Sequence, residues 1–253
     1  MIQMLRSYLH KLLHSTVLKV AILGVVLVCC MRFTSYINSG NVCGEFELLL
    51  CFDTIRKTIA IFGALPFASN FSTEWNSGAS NMYITRCGVV KYSAANVLVT
   101  YSSAFICVLF GMLIYAGAIS CFMPFCEINA ATFSQPYGFL LKTDFAFLYI
   151  VLRAAVFASS CAMWSVIGLT LSAFFPNKYV AICTPFAASY IIERITIQFP
   201  TPFNLWTISI SMLQWENSLL MFLYSVGIFT ALAAICGVVF TLKVKRMVQN
   251  GKY

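Results

Sequence analysis

The sequence predicts an all-α, polytopic membrane protein: six transmembrane helices, an interfacial helix before them and a short broken outer segment before the last span. Three observations predict it. Hydrophobic residues make up 60% of the 253 and charged residues only 9%, against roughly a quarter charged in a soluble domain; such a chain cannot cover a soluble surface. A hydrocarbon core about 30 Å thick needs roughly 20 apolar residues per helix, so about six spans fit this length. The basic residues gather on alternate loops, as the positive-inside bias requires. The chain therefore reads as a single transmembrane domain over 1–253, without room for a soluble one.

Residues 1–15 are too polar to cross. Ile2, Leu5, Leu9, Leu12 and Leu13 mark an apolar stripe, while Gln3, Arg6, Ser7, His10 and His14 take the other side. That pattern predicts a helix lying flat on lipid, basic face towards the headgroups. His10 and His14 stand one turn apart, a spacing able to hold a metal, but no third ligand lies nearby in sequence, so no metal site is assigned.

The first span is expected over 17–36, with Lys19 snorkelling at one end. The run lacks a small-residue cleavage site and so reads as a retained span rather than a signal peptide. A polar loop, NSGNVCGEFELLLCFD, follows; within it a Cys43–Cys51 bridge is geometrically possible. The second span, 54–71, carries Arg56 and Lys57 at its outer end and Pro66 inside. Proline frees a carbonyl and permits a kink where neighbours satisfy the backbone, which marks either a wall of a polar pathway or plain helix irregularity.

Residues 71–96, FSTEWNSGASNMYITRCGVVKYSAAN, form a polar interruption on the predicted inner side. The region 72–96 starts as a helix capped by Ser72, with Trp75, Ala79, Met82 and Tyr83 along one stripe and Asn76, Ser77, Ser80 and Asn81 elsewhere. An amphipathic surface element of this kind suits contact with a soluble partner.

The third span follows over 97–121, then a loop with Glu127, Lys142 and Asp144. The fourth span, 145–174, contains Arg153, which costs about 2–3 kcal/mol if it faces lipid at mid-depth; pairing with Asp144 by snorkelling, or contact with a substrate, answers that cost. A tight turn, FFPNKY, leads into the fifth span, 179–192, with Pro185 inside. The segment 194–217 is too broken by Pro200, Pro202 and Asn204 to span and too aromatic to be a free loop. It predicts short outer helices or a re-entrant dip, with Trp206 and Trp215 at the interface. The sixth span, 218–242, ends in a basic tail.

An even span number places both termini on one side. That side carries Arg6, Lys11, Lys19, Arg86, Lys91, Lys178, Lys243, Lys245, Arg246 and Lys252 against Glu74 alone, so both ends are expected to be cytoplasmic in a multi-pass protein of the cell membrane. The net charge of +8 is then topology, and nucleic acid is not an expected partner. Most of the 11 cysteines fall in apolar runs, where a thiol behaves as a small hydrophobe. Enzyme chemistry finds no footing: both histidines lie in the surface helix, no paired acids sit inside spans, and no GxxxxGK[ST] loop is present to hold ATP. With every acid placed near a surface, the coupling acid of a proton- or sodium-driven carrier is also missing.

The N-terminal helix, the six spans, the short turn between spans four and five and the broken aromatic segment together resemble the type-two ABC exporter permeases. Glu74, Gly78, Arg86 and Tyr92 stand in the form E-x3-G-x7-R-x5-Y, with Asn96 where relatives often carry a basic residue. The resemblance implies a permease subunit without bound cofactor, paired with a second permease as a homo- or heterodimer. Separate ABC ATPase subunits would hold ATP and magnesium. It implies ATPase coupling through Glu74, Trp75, Gly78, Met82, Arg86 and Tyr92, and a substrate pathway touching Phe62, Pro66, Thr184 and Tyr190. A pathway without buried charge suits a hydrophobic or amphipathic cargo such as a peptide, an antibiotic or a lipid. Two other classes stay open: a non-transporting immunity or sensor protein, and a stand-alone carrier or vitamin-importer membrane component.

Overall fold

A computed structural model describes residues 7–8, 10–12, 14–33, 41–125, 136–142, 145–213, 215 and 217–251. Among the described residues the chain is all-α, with no strand. The long elements are α1 (Thr16–Phe33), α3 (Asp53–Ala64), α6 (Val89–Ser120), α8 (Ala146–Ser172), α9 (Lys178–Thr196) and α11 (Ser218–Gln249). Between them lie the shorter α2 (Val42–Cys51), α4 (Asn70–Asn76), α5 (Ala79–Cys87), α7 (Phe139–Lys142) and α10 (Leu205–Ser209), with a 3-10 turn at Thr201–Phe203. Three helices, α6, α8 and α11, are long and apolar enough to cross a membrane, and α1 holds a shorter apolar stretch over Thr16–Met31.

Helix α8 is the hub, packed against α3, α6, α9 and α11. Its sequence explains why. Ala154, Ala158, Ser159, Ser160, Cys161, Ala162, Ser165 and Gly168 are all small, which lets neighbouring backbones come close. The hydroxyls do not go unpaired in this apolar setting: Ser159, Ser160, Ser165 and Ser172 donate to carbonyls three or four residues back at 2.6–2.9 Å, as buried serines in helices do. At Gly168 an added Cβ would lie 2.4 Å from Ala181 O and 3.1 Å from Pro185 Cδ. Ala181 O is the carbonyl four residues before Pro185, the one the proline leaves without its helical donor.

Pro66 acts in the same way on the segment expected to be one continuous span. Helix α3 stops at Ala64, a run of turns covers 65–69, and α4 begins at Asn70. The carbonyl freed four residues earlier, Phe62 O, has the Cys107 thiol of α6 as donor at 3.8 Å.

Helices α1, α6 and α11 turn apolar side chains outward as well as inward. Val20, Leu23 and Leu27 of α1, and Leu219, Leu223, Ile235 and Val238 of α11, are all more than half exposed. Outer surfaces this apolar need a covering that water does not supply.

Three expectations need correction. The loop after the first apolar run is not irregular: it contains α2, capped by Asn41 and burying Val42, Cys43, Phe46, Leu49 and Leu50. Cys43 and Cys51 lie eight residues apart in that one helix, about 12 Å along its axis, beyond the reach of a disulfide. Arg153 is buried and meets Glu47 at 3.3 Å, its guanidinium 5.1 Å from the Tyr149 ring; Asp144, Glu127 and the position of Cys126 lie outside the described residues. The segment 194–217 does form short helices, the 3-10 turn and α10, and α9 is capped by Asn177 within the tight turn.

Candidate functional site: a surface module and a buried ion cluster at opposite ends

Helices α4 and α5 form the polar interruption between α3 and α6. They are two helices, not the single one expected, and the break is at Gly78, whose φ of +73° is the left-handed conformation that glycine adopts without strain. Ser72 is no cap: it is buried inside α4, its hydroxyl bonded to Ser69 O at 2.9 Å. The predicted stripe divides accordingly. Trp75 packs half-buried beside Phe71 at 5.7 Å between ring centres, while Met82, Tyr83 and Arg86 of α5 are exposed.

Glu74 is the anchor of this module. Its carboxylate is 6% exposed and accepts three hydrogen bonds: from Tyr8 OH at 2.9 Å, Tyr92 OH at 2.9 Å and Asn70 Nδ2 at 2.7 Å. Lys11 Nζ in turn donates to Asn70 Oδ1 at 3.2 Å. A buried carboxylate is tolerable only with its lone pairs filled, and here three separate parts of the chain fill them. Burial first, then the Glu74 charge, pushes the Tyr8 phenol well above the usual tyrosine range, so it stays a donor. Asn96, fully buried, donates to Tyr92 O at 3.2 Å.

Glu74 and Tyr92 are thus brought together. Gly78 makes the turn, and Met82 and Arg86 stand on the outer face beside it. The residue missed in the sequence was Tyr8, which with Leu12 forms the buried side of the N-terminal segment; its spacing of four from Leu12 was the available signal. Residues 1–6, 9 and 13, including Ile2, Leu5, Leu9 and Leu13, lie outside the described residues. The turn between α8 and α9 comes to the same end, where Asn76 Nδ2 donates to Pro176 O at 3.0 Å.

At the other end α3, α9 and α10 meet. Arg56 donates to Glu193 Oε2 at 2.6 Å, to Asp53 Oδ1 at 3.1 Å and to Ser209 Oγ at 2.9 Å. Lys57 donates to Asp53 Oδ2 at 2.5 Å. Arg56, Lys57 and Glu193 are each 5% exposed or less. Burial alone would raise the Asp53 carboxyl, but the Lys57 hydrogen bond and the charges of Lys57, Arg56 and Arg194 outweigh it and hold it below the usual aspartate range. Periodicity gave no warning of this cluster, because each residue taken singly sits at the end of an apolar run. Buried charge, which the sequence reading did not expect, is therefore present inside the fold: Arg56, Lys57, Arg153, Glu45, Glu74 and Glu193 are all buried.

The four residues expected along a pathway do not share one surface. Phe62 turns towards α1, its ring 2.3 Å from where a Cβ on Gly24 would stand. Pro66 is half-buried in the turn after α3. Thr184 bonds its own helix at Val180 O, 2.5 Å away. Tyr190 is exposed, with Lys57 Nζ 4.3 Å from its ring. Among the described residues no group of three His, Cys, Asp or Glu side chains is placed to hold a metal ion.

No family model matches the chain, and neither does any curated protein or any solved structure.

Proposed function

We propose that this chain is the membrane permease subunit of an ATP-driven exporter of the type-two ABC class. In this reading it crosses the cell membrane six times, with both termini and the α4–α5 module on the cytoplasmic side. It shares its pathway with a second permease and is driven by separate ATPase subunits that bind ATP and magnesium. The observation that carries the reading is the Glu74 anchor. It ties α4, through Tyr92, to the long helix α6, so that a push on the α4–α5 module is delivered to the bundle rather than absorbed by a loose loop. The basic excess at that end supports its cytoplasmic placement.

A hydrophobic or amphipathic cargo finds support in an apolar groove of about 620 Å³ between α9, the outer segment and α11, lined among others by Phe199, Phe203, Ile208, Ile228 and Leu232.

Co-purification with a soluble P-loop ATPase encoded beside it tests the proposal. Met82→Asp and Arg86→Glu, both at exposed positions, are expected to abolish ATPase docking and to leave the melting temperature unchanged. Retention of ATPase binding and transport in both variants overturns the coupling assignment. A stand-alone carrier is the second reading, and the buried Glu193–Arg56–Lys57 group is what favours it. Transport under a proton or sodium gradient with no ATPase present would decide for that reading.

A further inference from the structure

The end of the bundle opposite Glu74 carries a pocket of about 230 Å³ bordered by Asp53, Lys57, Glu193 and Arg194. The four bordering charges balance, but Arg56, just beneath them and bonded to both carboxylates, adds a third cation. Lys57 is matched by Asp53 and, beneath the pocket, Arg56 is matched by Glu193. That leaves Arg194, exposed, whose guanidinium lies 5.7 Å from the Tyr190 ring; among the described residues it forms no ion pair. Among the described residues, the three cations Arg56, Lys57 and Arg194 against the two carboxylates Asp53 and Glu193 leave the cluster with one net positive charge. One wall of the pocket is apolar, made by Ile197 and the half-buried Trp206. The volume equals that of about eight water molecules, enough for a compact molecule.

We propose that this pocket binds a small monocarboxylate with an apolar body, the carboxylate on Arg194 and the body against Trp206 and Ile197. The guanidinium fork matches a carboxylate in two parallel hydrogen bonds. One negative charge completes the balance. A phosphate dianion would bring a second, set against Asp53 and Glu193 at the same rim, so discrimination against phosphate is part of the proposal. The inference rests on the pocket alone and holds whether or not the chain is a permease.

The test is titration calorimetry of the full chain in detergent with phenylacetate, phenylacetamide and inorganic phosphate. Phenylacetate is expected to bind one to one, and the amide and phosphate at least tenfold more weakly. Arg194→Gln should bring phenylacetate down to the level of the amide without changing the amide; because Arg194 is exposed, the variant should melt with the parent. An independent readout is Cys51, an exposed thiol on the pocket rim. Its maleimide alkylation, followed by peptide mass, should slow at least threefold under saturating phenylacetate and not under phenylacetamide at the same concentration. Equal binding of acid and amide, phosphate binding as tight as phenylacetate, an unchanged Arg194→Gln, or unprotected Cys51 would each overturn the assignment.

Discussion

Arg56 of α3 and Glu193 of α9, 137 residues apart in sequence, meet at 2.6 Å with both side chains almost wholly buried. Asp53 and Ser209 accept further bonds from the two terminal guanidinium nitrogens, so one arginine ties α3 to both α9 and α10. A buried pair of this kind adds little net stability when compared with apolar residues of the same size. Breaking it is another matter, because it strands a charge.

Arg56→Met is therefore expected to destabilise the protein by about 3–5 kcal/mol, since Glu193 would lose its closest cation. The double variant Arg56→Met with Glu193→Met should recover most of that loss. Thermal unfolding in detergent checks both; a double variant as unstable as the single one would show that the pair is not acting as a unit.

At the other end, Tyr92→Phe removes one hydrogen bond to a buried carboxylate and should cost about 1.5–3 kcal/mol. Tyr8→Phe removes a second from the same oxygen, Glu74 Oε2. Because the two phenols share an acceptor, the paired variant should depart from the sum of the singles by about 0.5–3 kcal/mol. A double-mutant cycle on unfolding free energies measures this, and strict additivity would argue against a shared anchor. Glu74→Arg places an unpaired cation in the same buried site and should report on folding rather than on docking.

Gly168→Ala puts a methyl group 2.4 Å from Ala181 O, a backbone atom that cannot turn aside. The α8–α9 contact must open, at an expected cost of about 1–3 kcal/mol. Gly117→Ala is the control, since its added Cβ would meet nothing within 4 Å. Equal melting temperatures for the two variants would show that the close approach is not limiting.

Asp53 gives the expected acid dependence. Its folded pKa is held below the unfolded value, chiefly against burial by Lys57 and Arg56. Its contribution is then fully present above the unfolded aspartate pKa of about 3.9 and is lost as pH falls through the lower folded value. Asp53→Asn should flatten the stability profile below about pH 4 and lower the plateau above it. Unfolding midpoints measured across that range check the sign.

The helical class, the approximate bounds of α1 and α8, the end of α6 and the start of α11, the turn before α9 and the short helices after it were legible in the sequence; α6 begins eight residues before the expected span and α11 runs seven beyond it. Each depends on local composition or local turn chemistry: apolar run length, Asn177 as a cap, prolines that stop a helix. Pro66 also announced its irregularity, though not the helix break that follows. Only the tertiary structure decided which partner each buried charge would have: Tyr8 and Tyr92 for Glu74, Glu47 for Arg153, Glu193 for Arg56. A charge in a single sequence looks expensive or exposed, and its cost is settled by groups tens of residues away that no periodicity announces. The same holds for Gly168, whose small size is visible in the chain but whose purpose, the close passage of the Ala181 carbonyl, exists only once α8 and α9 have met.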